Sequence, residues 1–163
     1  MELEIEFESK RRDSMKIKEL LTLKNRSVIT IGADETVFAA IQKLNEFDRG
    51  ALPVIDNQGE LIGIVTERDV VRKCFSSDGK FINSKIMDVM TKEVAIGFPD
   101  DNLDYIVSVM KQKRIRHVPI VEDHHKIIGV VSMRDLLEVQ LSEVEAEVRY
   151  VGLISRKTPR PVL

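Results

Sequence analysis

The sequence predicts an α+β fold built from two copies of one β-α-β-β-α unit, and two observations support this. With a fixed shift of 66 residues and no gap, residues 28–74 align with residues 94–140. Within each copy the hydrophobic pattern changes in the same order, from a β-branched run to helical spacing and then to two apolar runs. A unit of roughly 60 residues buries a small fraction of its surface and is only marginally stable alone. We therefore expect the two copies to pack against each other.

Identical residues concentrate in the last hairpin of each copy and in the corner that follows it. The identical pairs are Val28/Val94, Asp34/Asp100, Pro53/Pro119, Ile62/Ile128, Gly63/Gly129, Val65/Val131, Arg68/Arg134 and Asp69/Asp135. Many further pairs keep apolar character, so the chain contains an internal duplication.

The first half of each copy predicts a strand followed by an amphipathic helix. The strands are expected over residues 28–31 and 94–96, and the helices to start at Asp34 and Asp100. In the first helix the apolar residues Val37, Ile41 and Leu44 form a stripe, which we expect to be too broad for one sheet to cover and thus to mark a homodimer interface. The candidate helices for that interface are 36–47, its counterpart 102–113 and the long C-terminal helix.

The second half of each copy predicts a β-hairpin that leads directly into another helix. The hairpins pair residues 51–55 with 61–65 and residues 117–121 with 127–131, across polar turns. Short lead-in helices are expected at 16–24 and 83–90, and one long helix at 132–150. The resulting domain organisation is an acidic extension (1–13), a first repeat (14–75), a linker (76–80), a second repeat (81–142), and a helix end with a basic tail (143–163).

Composition narrows the functional classes. The 25 basic and 27 acidic residues nearly cancel, which disfavours nucleic acid as a partner. No apolar run approaches the roughly 20 residues that span a bilayer, and the N-terminus lacks the order of a signal peptide, so we expect a cytoplasmic protein. The single cysteine excludes an internal disulfide. His124 and His125 lie in a predicted turn without a third ligand at suitable spacing, so we predict no metal site.

The corner after each hairpin carries the most distinctive chemistry of the sequence. It contains Thr66, Arg68 and Asp69 in the first copy and Ser132, Arg134 and Asp135 in the second. A carboxylate can accept hydrogen bonds from the two hydroxyls of a ribose, and a helix N-terminus with a nearby arginine favours a phosphate. The alternative is that the hydroxyls cap the helices, that the carboxylates complement the helix dipole, and that the arginines are solvated.

These residues carry a resemblance to tandem CBS domains, named after cystathionine β-synthase. The matching segments are RGALPVIDNQGELIGIVTERDVV, KIMDVMTKEV and RIRHVPIVEDHHKIIGVVSMRDLL. The resemblance implies two repeats packed through their sheets about a pseudo-two-fold axis, with two clefts that commonly hold AMP, ADP, ATP, NADH or S-adenosylmethionine. It also implies a stand-alone, non-catalytic regulatory module that forms a homodimer and signals to a protein that the sequence does not name.

The two copies differ where the resemblance implies phosphate contacts. The second copy has Arg116 and His117 before its hairpin, where the first has Gly50 and Ala51. In this family a cleft draws its ribose contacts from one copy and can take phosphate contacts from the other, so we expect two inequivalent clefts. Which cleft receives the basic residues stays open. The sequence also permits a rival function, an interaction scaffold with degenerate clefts that binds no nucleotide.

Overall fold

The computed structural model describes residues 15–76 and 80–157. The predicted acidic extension, most of the linker and the end of the basic tail lie outside these residues. The chain divides into two compact units between Val131 and Ser132.

The helices and strands follow the predicted order. In the first copy they are α1 (Ile17–Lys24), β1 (Ile31–Gly32), α2 (Val37–Glu46), β2 (Ala51–Ile55), β3 (Leu61–Thr66) and α3 (Glu67–Ser76). Two short 3-10 helices follow, Lys80–Asn83 and Ile86–Asp88. The remaining elements are α4 (Leu103–Lys113), β4 (His117–Glu122), a third 3-10 helix (Asp123–His125), β5 (Lys126–Ser132) and α5 (Met133–Lys157).

Both predicted hairpins are confirmed. Strand β2 pairs antiparallel with β3, and β1 adds in parallel to β2, whereas β4 and β5 form a two-stranded sheet. The Asp56 carboxylate accepts hydrogen bonds from the backbone N–H groups of Gln58 and Glu60, both at 2.9 Å, and this closes the first turn. Gly59 has a φ of +82°, a conformation that favours glycine. The turn chemistry thus sets the register of the hairpin.

The predicted helix starts at Asp34 and Asp100 are wrong. The helices begin after Thr36 and Asn102, and the Thr36 hydroxyl caps α2 by accepting a hydrogen bond from the Ala39 N–H at 3.2 Å. Both acidic residues instead lie in the preceding turns, where they form ion pairs. The strand predicted at 28–31 is displaced to Ile31–Gly32, and the strand predicted at 94–96 is replaced by a single parallel bridge between Gly97 and Ile120.

Each lead-in segment packs on the other copy. The N–H of Ile17 donates to the carbonyl of Asp101 at 3.0 Å, and the N–H of Ile86 donates to the carbonyl of Glu35 at 2.9 Å. The first lead-in is the predicted helix, while the second is a 3-10 helix and not the helix that the pattern favoured. Because each lead-in binds the opposite copy, main-chain hydrogen bonds join the two copies.

The repeats meet about a pseudo-two-fold axis. Glu60 and Lys126, which are equivalent residues of the two copies, form an antiparallel bridge with each other. Equivalent residues pair in this way only at a two-fold axis.

The apolar stripe of α2 belongs to the core and not to an exposed interface. Val37 is fully buried, Leu44 is 6% exposed, and both join a cluster with residues of β2, β3 and the 3-10 helices; Ile41 packs against this cluster. The expectation that this stripe is exposed is therefore wrong, because the lead-in of the second copy supplies the apolar cover that one sheet lacks. Among the described residues, no helix combines the length and apolar character needed to cross a membrane.

Candidate functional site

The corner between β3 and α3 is closed by reciprocal hydrogen bonds between Thr66 and Asp69. The Asp69 Oδ2 accepts from the Thr66 N–H at 2.9 Å and from the Thr66 hydroxyl at 2.7 Å. In return, the Asp69 N–H donates to Thr66 Oγ1 at 3.2 Å. This is a capping box, in which two backbone donors at the helix start find side-chain acceptors. The predicted capping role is therefore confirmed here.

The corner between β5 and α5 has the same geometry. Asp135 Oδ2 accepts from the Ser132 N–H at 2.6 Å and from the Ser132 hydroxyl at 2.7 Å, and the Asp135 N–H donates to Ser132 Oγ at 3.3 Å. Asp135 is only 6% exposed. Both carboxylates thus hold a helix start through direct hydrogen bonds, which is more than complementing the helix dipole.

Asp69 keeps one carboxylate oxygen for other partners. Its Oδ2 makes all of the contacts above, and Oδ1 accepts no hydrogen bond within the part of the chain that the structure describes. The residue is partly exposed. A ligand hydroxyl can therefore reach Oδ1 without breaking the cap.

A cavity of about 290 Å³ opens beside this corner. Its walls come from the end of β3 and the first turns of α3 in the first copy, from the segment after the second lead-in, and from residues 113–117 of the second copy. Apolar lining is supplied by Ile64, Val94 and Ala95, and polar lining by Thr66 and Asp69. The duplication therefore forms a site to which both copies contribute.

Positive charge dominates the lining of this cavity. Five cationic side chains converge there, and none has a carboxylate partner among the described residues: Arg68, Arg72, Lys113, Arg114 and Arg116. Three carboxylates share the lining, so the formal charge is +2 before His117 is counted. Such a field favours an anionic ligand.

Gly50 makes room for His117 at the edge of the cavity. A Cβ atom at Gly50 would lie 3.0 Å from His117 Nε2 and 3.7 Å from Glu67 Oε2. The Gly50 carbonyl also accepts the Glu67 N–H at 3.1 Å, so the glycine holds the first residue of α3. The small residue of the first copy and the histidine of the second are thus complementary.

The structure brings five of the eight predicted site residues to one cavity. Thr66, Arg68 and Asp69 of the first copy line it together with Arg116 and His117 of the second. The predicted residues Ser132, Arg134 and Asp135 lie at the start of α5 in the second compact unit.

Three basic residues of the lining were missed from the sequence. Lys113 and Arg114 belong to the run KQKRIRH. The high density of basic residues in this run could have indicated an anion-binding segment. Arg114 also ends α4 in the left-handed conformation, with a φ of +53°. Arg72 follows Arg68 by four residues, which places both on one face of α3. Within the described residues, no three His, Cys, Asp or Glu side chains are grouped as a metal site would require.

Comparison with known proteins identifies relatives that contain the same repeat. The profile of the CBS domain matches residues 17–76 and 86–142. The inosine-5′-monophosphate dehydrogenase of Methanocaldococcus jannaschii is 36% identical over 113 residues, which are 69% of this chain but only 22% of that enzyme. The chain thus spans about a fifth of the length of this relative.

Solved structures share the fold. The CBS-domain-containing protein ATU1752 from Agrobacterium tumefaciens superposes with a TM-score of 0.72 at 30% identity, over 77% of this chain and 92% of that one. The CBS domain pair of protein MJ0100, in complex with 5′-methylthioadenosine and S-adenosyl-L-methionine, gives a TM-score of 0.68 at 25% identity, over 77% of this chain and 98% of that one. With both repeats matched in sequence and in fold, the chain belongs to the CBS domain family and contains a tandem CBS pair.

Proposed function

We propose that the CBS pair binds a phosphorylated adenine nucleotide in the cavity beside Asp69 and acts as a regulatory module. The observation that carries this proposal is the convergence of five cations, none of which has a carboxylate partner within residues 15–76 and 80–157, on a cavity that also offers Asp69 Oδ1. The CBS pair of protein MJ0100, solved with two adenosine-containing ligands, supports the choice of an adenosine group.

Each part of the ligand has a suitable neighbour. The base stacks against the apolar side chains of Ile64 and Val94, and Asp69 Oδ1 accepts from the ribose hydroxyls. Arg114 and Arg116 bind the phosphate, since a guanidinium donates two parallel hydrogen bonds to such an anion.

Cavity size and charge select among the adenine ligands. The volume of about 290 Å³ lies near the lower end of the 300–1,000 Å³ typical of ligand pockets, which favours a mononucleotide over NADH. The net positive lining favours AMP, ADP or ATP over S-adenosylmethionine, whose sulfonium is itself cationic. We therefore rank AMP, ADP and ATP first.

Regulation follows from the position of the cavity between the copies. A bound nucleotide contacts the start of α3 in the first copy and the segment between α4 and β4 in the second. Its binding energy therefore stabilises one relative arrangement of these elements over others. A partner protein, or a second copy in a homodimer, that distinguishes the two arrangements senses whether nucleotide is bound, and no chemical step is needed.

Calorimetry with AMP, ADP, ATP, adenosine, NADH and S-adenosylmethionine tests this proposal. We expect the phosphorylated mononucleotides to bind more tightly than adenosine. The Arg116→Ala variant should bind them at least about tenfold more weakly, because a hydrogen bond to a charged group contributes about 1.5–3 kcal/mol. Lys111→Ala is the matched control, since Lys111 belongs to the same basic run but does not line the cavity.

Thermal unfolding gives an independent readout. A ligand at 100 times its Kd stabilises the folded state by about 2.7 kcal/mol. Equal affinity for adenosine and AMP would show that the basic residues do not contact the ligand. No stabilisation by any of these compounds would favour the interaction scaffold instead.

A further inference from the structure

His117 lies half-buried at the edge of the nucleotide cavity, at the first position of β4. The chain has three histidines, and the other two, His124 and His125, lie in the turn between β4 and β5 and not in the lining of this cavity. Imidazole is the side chain that ordinarily gains or loses a proton between about pH 6 and pH 8. The cavity therefore has, at its edge, a group whose charge changes near neutral pH.

The backbone on both sides of the cavity edge holds the imidazole in place. Val118, the next residue in β4, is fully buried, and the N–H of Gly97 donates to the carbonyl of Pro119 at 2.9 Å. These contacts fix the start of β4. Across the edge, a Cβ atom at Gly50 would lie 3.0 Å from Nε2 and 3.1 Å from Cε1 of His117, so the ring packs closely against the Gly50 backbone.

Carboxylates from two segments share the lining with His117. Glu67 and Asp69 lie in the first turn of α3, and Glu93 follows the second lead-in. The Glu67 carboxylate is near the imidazole, since its Oε2 lies 3.7 Å from the same Cβ position at Gly50. A carboxylate favours the protonated form of an imidazole, whereas the positive end of a helix such as α3 favours the neutral form.

Five cations share the same lining and oppose a further positive charge. They are Arg68 and Arg72 of α3, Lys113 at the end of α4, and Arg114 and Arg116 after it. Asp48 and Arg49 precede Gly50 in the chain but do not line the cavity. Without a nucleotide, the cations of the lining therefore repel a proton on His117. A phosphate group carries about two negative charges at neutral pH and attracts that proton.

We propose that nucleotide binding is coupled to protonation of His117, so that a positive charge on this residue tightens the binding of a phosphorylated nucleotide as the pH falls. The bound phosphate offsets the repulsion by the cations, and the protonated ring donates a hydrogen bond to a phosphate oxygen. Coupling of this kind is reciprocal, so the nucleotide also draws a proton onto His117. This inference rests on the proposed function and adds that the module responds to pH together with nucleotide concentration.

Calorimetry with AMP at about pH 6 and about pH 8 tests this coupling in the full chain. The phosphate of AMP itself loses charge near pH 6, and this affects every variant alike. The quantity to compare is therefore the Kd of His117→Gln divided by the Kd of the wild type. We expect this ratio to be at least about threefold larger at the lower pH, because only the wild type gains a cation there. His124→Gln is the matched control, and its Kd should equal that of the wild type at both pH values.

A permanent charge at the same position gives the converse test. His117→Lys is cationic at both pH values and should bind AMP more tightly than the wild type at about pH 8. Circular dichroism checks that each variant folds. In buffers that differ in ionisation enthalpy, the wild type should also take up more protons per bound AMP than His117→Gln at about pH 7.

The outcomes separate this coupling from the proposed function. AMP binding with the same ratio of Kd values at both pH values, or with equal proton uptake by the wild type and His117→Gln, would overturn the coupling and leave the proposed function in place. Absence of AMP binding to the wild type at either pH would overturn both.

Discussion

The two copies share the hairpin and the helix on either side of it but have different side chains where they meet in the cavity. Before its hairpin the first copy has Gly50, which leaves space, and the second has Arg116 and His117, which add charge and fill that space. Divergence between the two repeats has thus produced an asymmetric site. A glycine at position 116, as in the first copy, would remove one of the five cations of the cavity, and an arginine at position 50, as in the second copy, would remove the room at its edge.

A second difference lies in the turns before α2 and α4. Glu35 Oε1 accepts from the Gly32 N–H at 2.8 Å and from Lys43 Nζ at 3.0 Å. The equivalent Asp101 accepts the Phe98 N–H at 2.8 Å, but Val109 stands where the first copy has Lys43. The same turn is therefore charge-assisted in only one copy.

The largest expected effect comes from Asp69→Ala compared with Asp135→Ala. Asp69→Ala should weaken nucleotide binding in the cavity lined by Arg116 at least about tenfold, since it removes a charged acceptor of the ribose hydroxyls. Asp135→Ala should leave nucleotide binding in that cavity unchanged. Each variant should also lose about 0.5–2 kcal/mol of unfolding free energy, because both lose a capping box. Calorimetry and urea denaturation measure the two effects, and the reverse order of binding losses would contradict this assignment.

The next effect compares Gly63→Ala with Gly129→Ala, which test how the exchanged lead-ins pack. A Cβ at Gly63 would meet Met90 Sδ at 2.5 Å and the backbone carbonyl of Thr91 at 3.1 Å. For a Cβ at Gly129 the three nearest atoms all belong to the Leu21 side chain, the first at 2.5 Å. Overpacking costs about 1–3 kcal/mol. Gly63→Ala should be the more destabilising in urea, because a backbone carbonyl cannot rotate away as the Leu21 side chain can. Equal losses would show that the backbone at Thr91 yields.

A smaller effect concerns the acid stability of the turn before α2, tested with Glu35→Gln and Lys43→Val. Partial burial raises the pKa of Glu35, but the hydrogen bonds from Gly32 and Lys43 outweigh it and hold that pKa below its usual value. The resulting stabilisation is present above the pKa of the unfolded chain and is lost as the pH falls through the folded pKa. The free energy of unfolding should therefore fall less steeply from about pH 5 to pH 3 in Glu35→Gln than in the wild type. Lys43→Val, which introduces the residue type of the second copy at this position, should change the decline in the same direction, because the hydrogen bond from Lys43 is one of the causes that lower the pKa of Glu35.

The smallest effect is expected from the two ion pairs that join each lead-in to the opposite copy. Lys18 Nζ lies 2.7 Å from Asp100 Oδ1, and Lys85 Nζ lies 2.8 Å from Asp34 Oδ1. The lysine lowers the pKa of Asp100, while Asp100 and Asp34 raise the pKa of Lys18 and Lys85. All four side chains are more than half exposed, so solvent screens both pairs.

Double-mutant cycles at low and high salt check this last prediction. Coupling within each pair should be weak, similar in the two copies, and absent near 1 M salt, where the Debye length is about 3 Å. A coupling energy that persists at high salt would show that solvent does not screen these ion pairs.

The local sequence pattern was sufficient to predict those elements whose determining residues lie close together in the chain. The hairpins were predicted because the alternation of Ala51–Ile55 and Leu61–Thr66 and the turn at Asp56 agree with each other. The starts of α2 and α4 were misplaced because an acidic residue at a helix start and one in a preceding turn look alike in sequence. Only the partner lysine, which lies more than 50 residues away, distinguishes them.

The sequence alone was sufficient to identify the duplication, the hairpin and flanking helices of each copy, the family and the Thr66–Asp69 corner, because each depends on residues near in the chain or on the repeat itself. The tertiary structure decided which lead-in packs on which copy, that the stripe of α2 is buried, and that Arg116 and His117 join Asp69 in one cavity. These outcomes depend on packing between distant segments. A periodic pattern shows that a helix or strand has an apolar or charged face, but only the folded chain determines which residues contact that face.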